Sequence, residues 1–292
     1  MQLSIISINH KKPQQAITCM ASLWKQYQKE FEANEFEYIL VDNFSEDDSL
    51  HILGKEIKKY KNFHLLANNQ DAGFGAGNNF GVKKAQGTYL LFLNDDTIVE
   101  DRGIAKMLEY LKQHEEIGVL GGKIVNFDGS EQLSSGKFYS LFTFTLFILG
   151  MQRFGLIDKN PKTIQEVDWI KGALFMIKKT LYEKVGGYDE HIWMYTEDIE
   201  LCYRIHKHGL KCVFFPDISI KHKEQGSTNR TFAIVNIYKN LPYFYKKHKS
   251  SFAYHYVKLL LKTKAAVLLM VGKLTHNKYL KDTYSQALNA VK

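Results

Sequence analysis

The first 125 residues alternate short β-rich runs with helix-period stretches, and this pattern constrains the fold more than any other feature. Residues 3–8, Leu-Ser-Ile-Ile-Ser-Ile, read as a strand, and 14–29 as a helix. Strand-like runs return at 37–41, 62–66, 89–93 and 118–125, with helix patterns at 47–59 and 102–114 and a Gly-rich loop entering a helix over 73–85. Strands that alternate with helices predict an α/β fold with a parallel or mostly parallel sheet. Apolar runs without alternation, such as Tyr-Leu-Leu-Phe-Leu at 89–93, suit strands buried on both faces.

The rest of the chain is organised differently. Residues 126–170 are irregular, with an apolar, aromatic-rich stretch at 139–151 and a polar connector at 158–165. Order returns over 167–177, a helix is expected over 178–185 and from about 197, and a strand over 211–215. Beyond Arg230 the pattern predicts helices broken by Pro242 and Gly272. The formal net charge of +8 is unevenly spread: residues 230–292 hold twelve Lys/Arg and one acid, Asp282, leaving 1–229 at −3. The high pI therefore belongs to the tail. Three cysteines (Cys19, Cys202 and Cys212), with no C-x-x-C spacing, argue against a disulfide scaffold or structural zinc. The N-terminus reads as a first strand, not a signal peptide, and no apolar run approaches the roughly 20 residues that span a bilayer.

In open α/β sheets, ligands bind beyond the carboxyl ends of the strands. Here those ends carry Asn9-His10, Asp42-Asn43, Asn68-Asn69 and Asn94-Asp95-Asp96. Amides and carboxylates at every end suit a polar ligand with a metal. The Gly-rich run 73–81 lacks G-x-G-x-x-G spacing and follows the third strand pattern, so a dinucleotide-binding dehydrogenase is excluded; no P-loop occurs either. Asp95 and Asp96 could cap the turn before the helix expected from Arg102 or bind a hard divalent cation that also takes substrate phosphates. Glu197, Asp198 and Glu200 could serve a helix dipole, or one of them could act as a general base. A lone His222 could be structural or a ligand. A sugar-nucleotide pyrophosphorylase would carry a Gly-rich basic loop after strand one, where this chain has Asn9-His10-Lys11-Lys12-Pro13.

Taken in order, several segments carry a resemblance. They are Val41-Asp42-Asn43-Phe44-Ser45, Asp71-Ala72-Gly73-Phe74-Gly75-Ala76-Gly77-Asn78-Asn79, Leu93-Asn94-Asp95-Asp96-Thr97, Asp168-Trp169-Ile170-Lys171-Gly172-Ala173, Gly186-Gly187-Tyr188-Asp189 and Thr196-Glu197-Asp198-Ile199. Over about residues 3–230 the chain resembles a family 2 glycosyltransferase of the bacterial rhamnosyltransferase-like branch. The resemblance implies a GT-A fold: a mixed, mostly parallel sheet flanked by helices, here with a C-terminal helical extension. It implies a catalytic domain over 1–229, with a nucleotide-binding half (1–125) and an acceptor-binding half (126–229), and a basic helical tail over 230–292. Asn9, Asp42, Asn43, Asn78, Asn94 and Asp95 would face the nucleotide. Asn78 stands where relatives often hold an Arg. Asp96, with His222, would bind Mg²⁺ or Mn²⁺ at the D-x-D position, whose first residue is Asn here. Asp198 would be the catalytic base, with Trp169, Lys171, Gly172 and Glu197 around the sugar and acceptor.

The implied partners are a nucleotide-diphospho-sugar donor and a glycan or lipid-linked acceptor. The alternative is an inactive sugar- or nucleotide-binding protein of the same fold. In the tail, Tyr and Phe interleave with Lys beside an apolar stretch at 265–271. That composition suits peripheral contact with an anionic membrane, on the cytoplasmic face of the plasma membrane. No nucleic-acid motif is visible.

Overall fold

The computed structural model describes residues 1–138, 140–151, 160–222 and 229–291. Tyr139 and the start of the 158–165 connector lie outside them. By its internal contacts the chain divides into two compact units. The first comprises the described residues of Met1–Lys137, Asn160–Trp193 and Glu197–Ser227; the second comprises those of Phe138–Lys159, Met194–Thr196 and Thr228–Lys292.

The first unit begins β1 (Leu3–Asn9), α1 (Pro13–Glu32), β2 (Phe36–Asn43), α2 (Ser49–Glu56), β3 (Phe63–Asn68), α3 (Gly73–Val82) and β4 (Tyr89–Leu93). It continues with β5 (Thr97–Val99), α4 (Gly103–Gln113), β6 (Ile117–Val125), β7 (Glu131–Gln132) and β8 (Ser135–Gly136). After α5 (Leu141–Ile148), which belongs to the second unit, come β9 (Gln165–Val167), β10 (Trp169–Ile170) and β11 (Leu174–Lys178). The last elements of the first unit are α6 (Lys179–Lys184), α7 (Glu197–Lys207) and β12 (Lys211–His222). The main sheet runs β3-β2-β1-β4-β11-β6-β12-β5, with β7 on β6 and β9 on β12. From β3 to β4 the pairing is parallel, and β11 is antiparallel to both its neighbours. This is a mixed, mostly parallel sheet with flanking helices. Every residue of β2 is buried, which explains a strand without alternating polarity.

Two local expectations are corrected. Gly73–Val82 is helical from its first glycine. Gly73 has φ +77°, and a Cβ there would fall 2.0 Å from the Trp193 carbonyl oxygen, so only glycine admits this approach. The expected strand at 211–215 extends to His222 through an irregular register, which brings that histidine opposite Thr97.

The second unit packs α8 (Arg230–His248), α9 (Ser251–Leu274) and α10 (Lys278–Ala290), with α5 against α9. Its helices do not break at Pro242 or Gly272. Pro242 sits inside α8, which continues past the missing N–H. Gly272 lies where a Cβ would meet Leu280 Cβ and Lys281 N at 2.8 Å, so it admits α10 rather than ending α9. The breaks fall at cap residues: Ser250 Oγ accepts from Ala253 N, and Asn277 Oδ1 accepts from Leu280 N. Among the described residues no helix is long and apolar enough to cross a membrane.

Candidate active site

The carboxyl ends of β1, β2 and β3 form one polar cluster. Parallel register sets Asn9 beside Asp42 and Asn43 beside Asn68. Asn9 Nδ2 donates to Asp42 Oδ1 at 2.9 Å, and Ser45 N donates to Asp42 Oδ2 at 3.1 Å. Asn43 Nδ2 reaches Asp71 Oδ1 and Gly73 O, and its Oδ1 accepts from Asn68. Asn78 is buried in α3, and its amide donates back to Phe74 O at 2.9 Å. Its side chain therefore stabilises its own helix.

A second cluster forms where β4 ends. Asn94 N donates to Ala173 O, so the Asn94-Asp95-Asp96 turn is stitched to the chain entering β11. Ser7 Oγ donates to Leu93 O at 2.6 Å, tying in β1. Thr97 Oγ1 closes the turn onto Asn94 O. The acids precede strand β5 rather than a helix, so capping a helix does not account for them. Asp96 is 8% exposed and forms one wall of a cavity of about 300 Å³ that Gln14, Thr18 and Phe127 also line. His222 Nε2 stands 3.2 Å from Asp96 Oδ1 and 3.1 Å from Asn94 Nδ2.

The third cluster opens α7. Asp198 Oδ2 accepts from Gly172 N at 3.1 Å and Oδ1 from Ile199 N at 2.8 Å. Glu197, the first residue of α7, is buried. Glu200 is also buried, but Arg204 Nε reaches both its oxygens at 2.9–3.0 Å. Of the three acids, Glu200 is thus the structural one, paired four residues along its own helix. Gly172 and Ala173 link this cluster to the β4 turn: one binds Asp198, the next accepts from Asn94. Trp169 is half-buried on β10, opposite Gly136 of β8.

Burial sets the electrostatics. It pushes the Asp95 carboxyl well above the usual carboxylate range, and neighbouring Asp96 adds to the rise. Glu197 is pushed well up by burial and then by Asp198. Asp198 is raised by burial as well, against the opposing pull of the Gly172 and Ile199 N–H groups and of Lys171. A carboxylate raised toward neutrality is suited to accept a proton. Burial also pushes the Cys19 thiol up to about 12, so it is an inert core group beneath the β4 turn.

The donor set at β4 fits a hard divalent cation. Asn94 Oδ1, Asp95 Oδ2 and Asp96 Oδ1 are buried without a hydrogen-bond partner, an arrangement costly unless something positive meets them. Cis ligands of an octahedral ion at about 2.1 Å stand about 3.0 Å apart, close to the 3.2 Å between Asp96 Oδ1 and His222 Nε2. Among the described residues no three His, Cys, Asp or Glu side chains converge as a complete cage. A two-residue site suits an ion that shares its shell with substrate phosphates.

One residue of the site escaped sequence reasoning. Gln132, 5% exposed on β7, contacts both His222 and Lys171. Nothing in its neighbours marks it, because the contacts are made across 39 and 90 residues.

The family model described as "Glycosyl transferase family 2" matches residues 4–204. The chain is 29% identical over 172 residues to "Rhamnosyltransferase WbbL" of Escherichia coli K12, covering 55% of this chain and 64% of that protein. It is 25% identical over 215 residues to the "N-acetylglucosaminyl-diphospho-decaprenol L-rhamnosyltransferase" of Mycobacterium tuberculosis, covering 66% and 68%. Among solved structures, the mannosyltransferase PcManGT of Pyrobaculum calidifontis, in complex with GDP-Man and Mn²⁺, superposes with TM-score 0.61 at 13% identity. That match covers 99% of this chain and 85% of that one. GalNAc-T7 with UDP, GalNAc and Mn²⁺ gives 0.60 at 18%, covering 84% and 50%. At such identities the structural likeness speaks for the fold, which is GT-A. With the family match covering more than half of the chain and including the strand that ends in Asn94-Asp95-Asp96, the chain belongs to glycosyl transferase family 2.

Proposed function

We propose that this protein is a metal-dependent inverting hexosyltransferase of bacterial surface polysaccharide synthesis. It moves a sugar from dTDP-rhamnose or a UDP-hexose to a hydroxyl of a glycan or lipid-linked glycan. The names of the two rhamnosyltransferase relatives support rhamnose as the sugar, and the second supports a lipid diphosphate acceptor. The observation that carries the reading is Asp198, oriented by two backbone donors and joined through Gly172-Ala173 to the turn bearing Asp96.

In this reading residues 1–125 form the nucleotide side and 126–229 the acceptor side. Asn9 and Asp42 line the base pocket, and Asn43, Asn78, Asn94 and Asp95 belong to the nucleotide side. Asp96 and His222 would hold Mg²⁺ or Mn²⁺, which when bound neutralises charge developing on the leaving diphosphate. Trp169, Lys171, Gly172 and Glu197 surround the sugar and acceptor. Asp198 takes the proton of the acceptor hydroxyl. That oxygen attacks the anomeric carbon on the face opposite the diphosphate, and a single displacement inverts its configuration.

The test is Asp198→Asn. Transfer to acceptor should fall about 10²–10⁴-fold, the usual worth of a general base, with affinity for the nucleoside diphosphate unchanged. Transfer near the wild-type rate would sink the assignment. Thermal shifts across a panel of nucleotide sugars with Mg²⁺ or Mn²⁺ identify the donor, since a ligand of the folded state raises its stability.

The helices of 230–292 form a basic tail that contacts an anionic bilayer from the cytoplasmic face. On α9, Phe252, Leu259, Val267, Met270 and Leu274 are exposed, Phe252 and Leu274 by more than 70%. Their spacings of seven, eight, three and four residues keep them on one helix face. Lys262 and Lys273 are also exposed on this helix. Apolar insertion flanked by lysine suits anionic lipid. Flotation of the full chain with phosphatidylglycerol vesicles, and failure to float with neutral ones, is the expected result.

A further inference from the structure

We infer that Gln132 is a positioning residue: it fixes which nitrogen of His222 carries the proton and so presents the other nitrogen's lone pair beside Asp96. The inference rests on the metal reading above and deepens it.

The orientation of the Gln132 amide is determined by partners that have no choice of role. Its Nε2 lies 2.9 Å from the backbone oxygen of His222, which can only accept. Its Oε1 lies 3.0 Å from Lys171 Nζ, which can only donate when charged. The nitrogen also reaches Asn126 Oδ1 at 2.7 Å. A flipped amide would set oxygen against oxygen and nitrogen against ammonium, so Oε1 is the atom facing His222.

That oxygen stands 3.0 Å from His222 Nδ1. An amide oxygen has no proton to give, so Nδ1 must carry one. In the neutral ring Nε2 then keeps its lone pair, and Nε2 is the atom 3.2 Å from Asp96 Oδ1. The Asn94 amide donating to Nε2 agrees with this tautomer. In that neutral tautomer two acceptors face each other with no proton between them, beside the unpartnered oxygens of Asn94 and Asp95. The outer partner of a ligating histidine commonly sets tautomer and ring orientation in this way.

Gln132 itself has little freedom. It is buried, and β7 pairs with β6 through Ile124. Asn160 Nδ2 donates to Gln132 O at 2.7 Å, while Asn160 Oδ1 accepts from Ser134 N at 2.9 Å. Lys171 N also binds Ser134 O, so the strand holding the amide and the segment bearing Lys171 are fixed together.

The experiment is nitrogen-15 NMR of the histidine rings in the full chain at about pH 8, where ordinary imidazoles are neutral. The His222 signals are identified by their loss in His222→Asn. Wild type should show protonated Nδ1. Gln132→Met keeps the side-chain length but accepts no strong hydrogen bond, and should move His222 toward protonated Nε2. Gln132→Glu still accepts at Nδ1 and should retain the wild-type tautomer. General disruption of packing would not separate these two variants. An unchanged tautomer in Gln132→Met overturns the inference, as does protonated Nε2 in the wild type.

A titration with Mn²⁺ alone adds a second readout. Affinity should fall about 10–100-fold in Gln132→Met, the usual effect of losing such a partner. If the tautomer follows Gln132 while wild type and His222→Asn bind Mn²⁺ equally, the metal assignment falls and the control of His222 by Gln132 stands.

Discussion

Asp95-Asp96 and Glu197-Asp198 are both adjacent acids within the sheet unit, and both are largely out of water. Their partners differ. At the end of β4, buried oxygens of both acids lack hydrogen bonds, and an imidazole nitrogen stands beside Asp96. At the start of α7, Asp198 has a backbone N–H on each oxygen, while Glu197 Oε2 is buried without a partner. The unpartnered oxygens of the first pair suit a positively charged partner. At Asp198 the backbone supplies two dipoles that fix the carboxylate in place. Asp96 and Asp198 are thus distinguished by what surrounds them, which residue types alone would not reveal.

The sharpest way to break this comparison is at Asp96. Asp96→Asn should lower nucleoside diphosphate affinity in the presence of Mn²⁺ by more than the roughly 10–100-fold that losing an outer partner of a metal ligand costs, and a chelator should do the same to wild type. Asp198→Asn should respond to the chelator as wild type does. Calorimetric titrations of the two variants give the answer; equal losses in both would mean that the pairs act as one site.

A smaller effect separates the members of the second pair. Glu197 has a pKa above its unfolded value, because burial and then Asp198 disfavour its charge. The folded state therefore binds the extra proton, and stability declines as pH rises from the unfolded pKa toward the folded one. Glu197→Gln removes that decline. Its melting temperature should exceed wild type at neutral and alkaline pH, by about 2–4 °C for each kcal/mol gained, and the advantage should vanish near pH 4. A uniform gain at every pH would place the effect elsewhere.

The smallest effect concerns Lys171, whose positive charge lowers the Asp198 pKa against the rise from burial. In Lys171→Met the acidic limb of the kcat/KM profile should move to higher pH. A limb that does not move would show that Asp198 does not set it.

Much of the sheet was legible because its strands are buried on both faces and read as unbroken apolar runs. The polar strand ends stood out too, since Asn94-Asp95-Asp96 follows directly on the apolar run Leu-Leu-Phe-Leu. Glu200 could have been set aside from the sequence, because Arg204 stands four residues later. The tail's helix limits were misread because Pro242 and Gly272 outweighed the caps at Ser250 and Asn277. One is tolerated in the interior of α8, and the other is explained only by how closely α10 approaches. Gln132 was beyond reach: its role depends on the order of β6, β7 and β12, and a lone glutamine carries no local signal.

The antiparallel insertion of β11 also shapes how the chain acquires its structure. β4 lies between β1, more than eighty residues earlier, and β11, some eighty residues later. Asp96 meets a histidine 126 positions downstream. Such distant pairings make folding slow, because the entropy of closing long loops is lost before the contacts form. On a ribosome, the first three strands could pair while β4 still lacked its second neighbour. The turn with its unpartnered acids would stay incomplete until residue 222 had emerged, so its buried carboxyl groups would remain open to water until the sheet had closed.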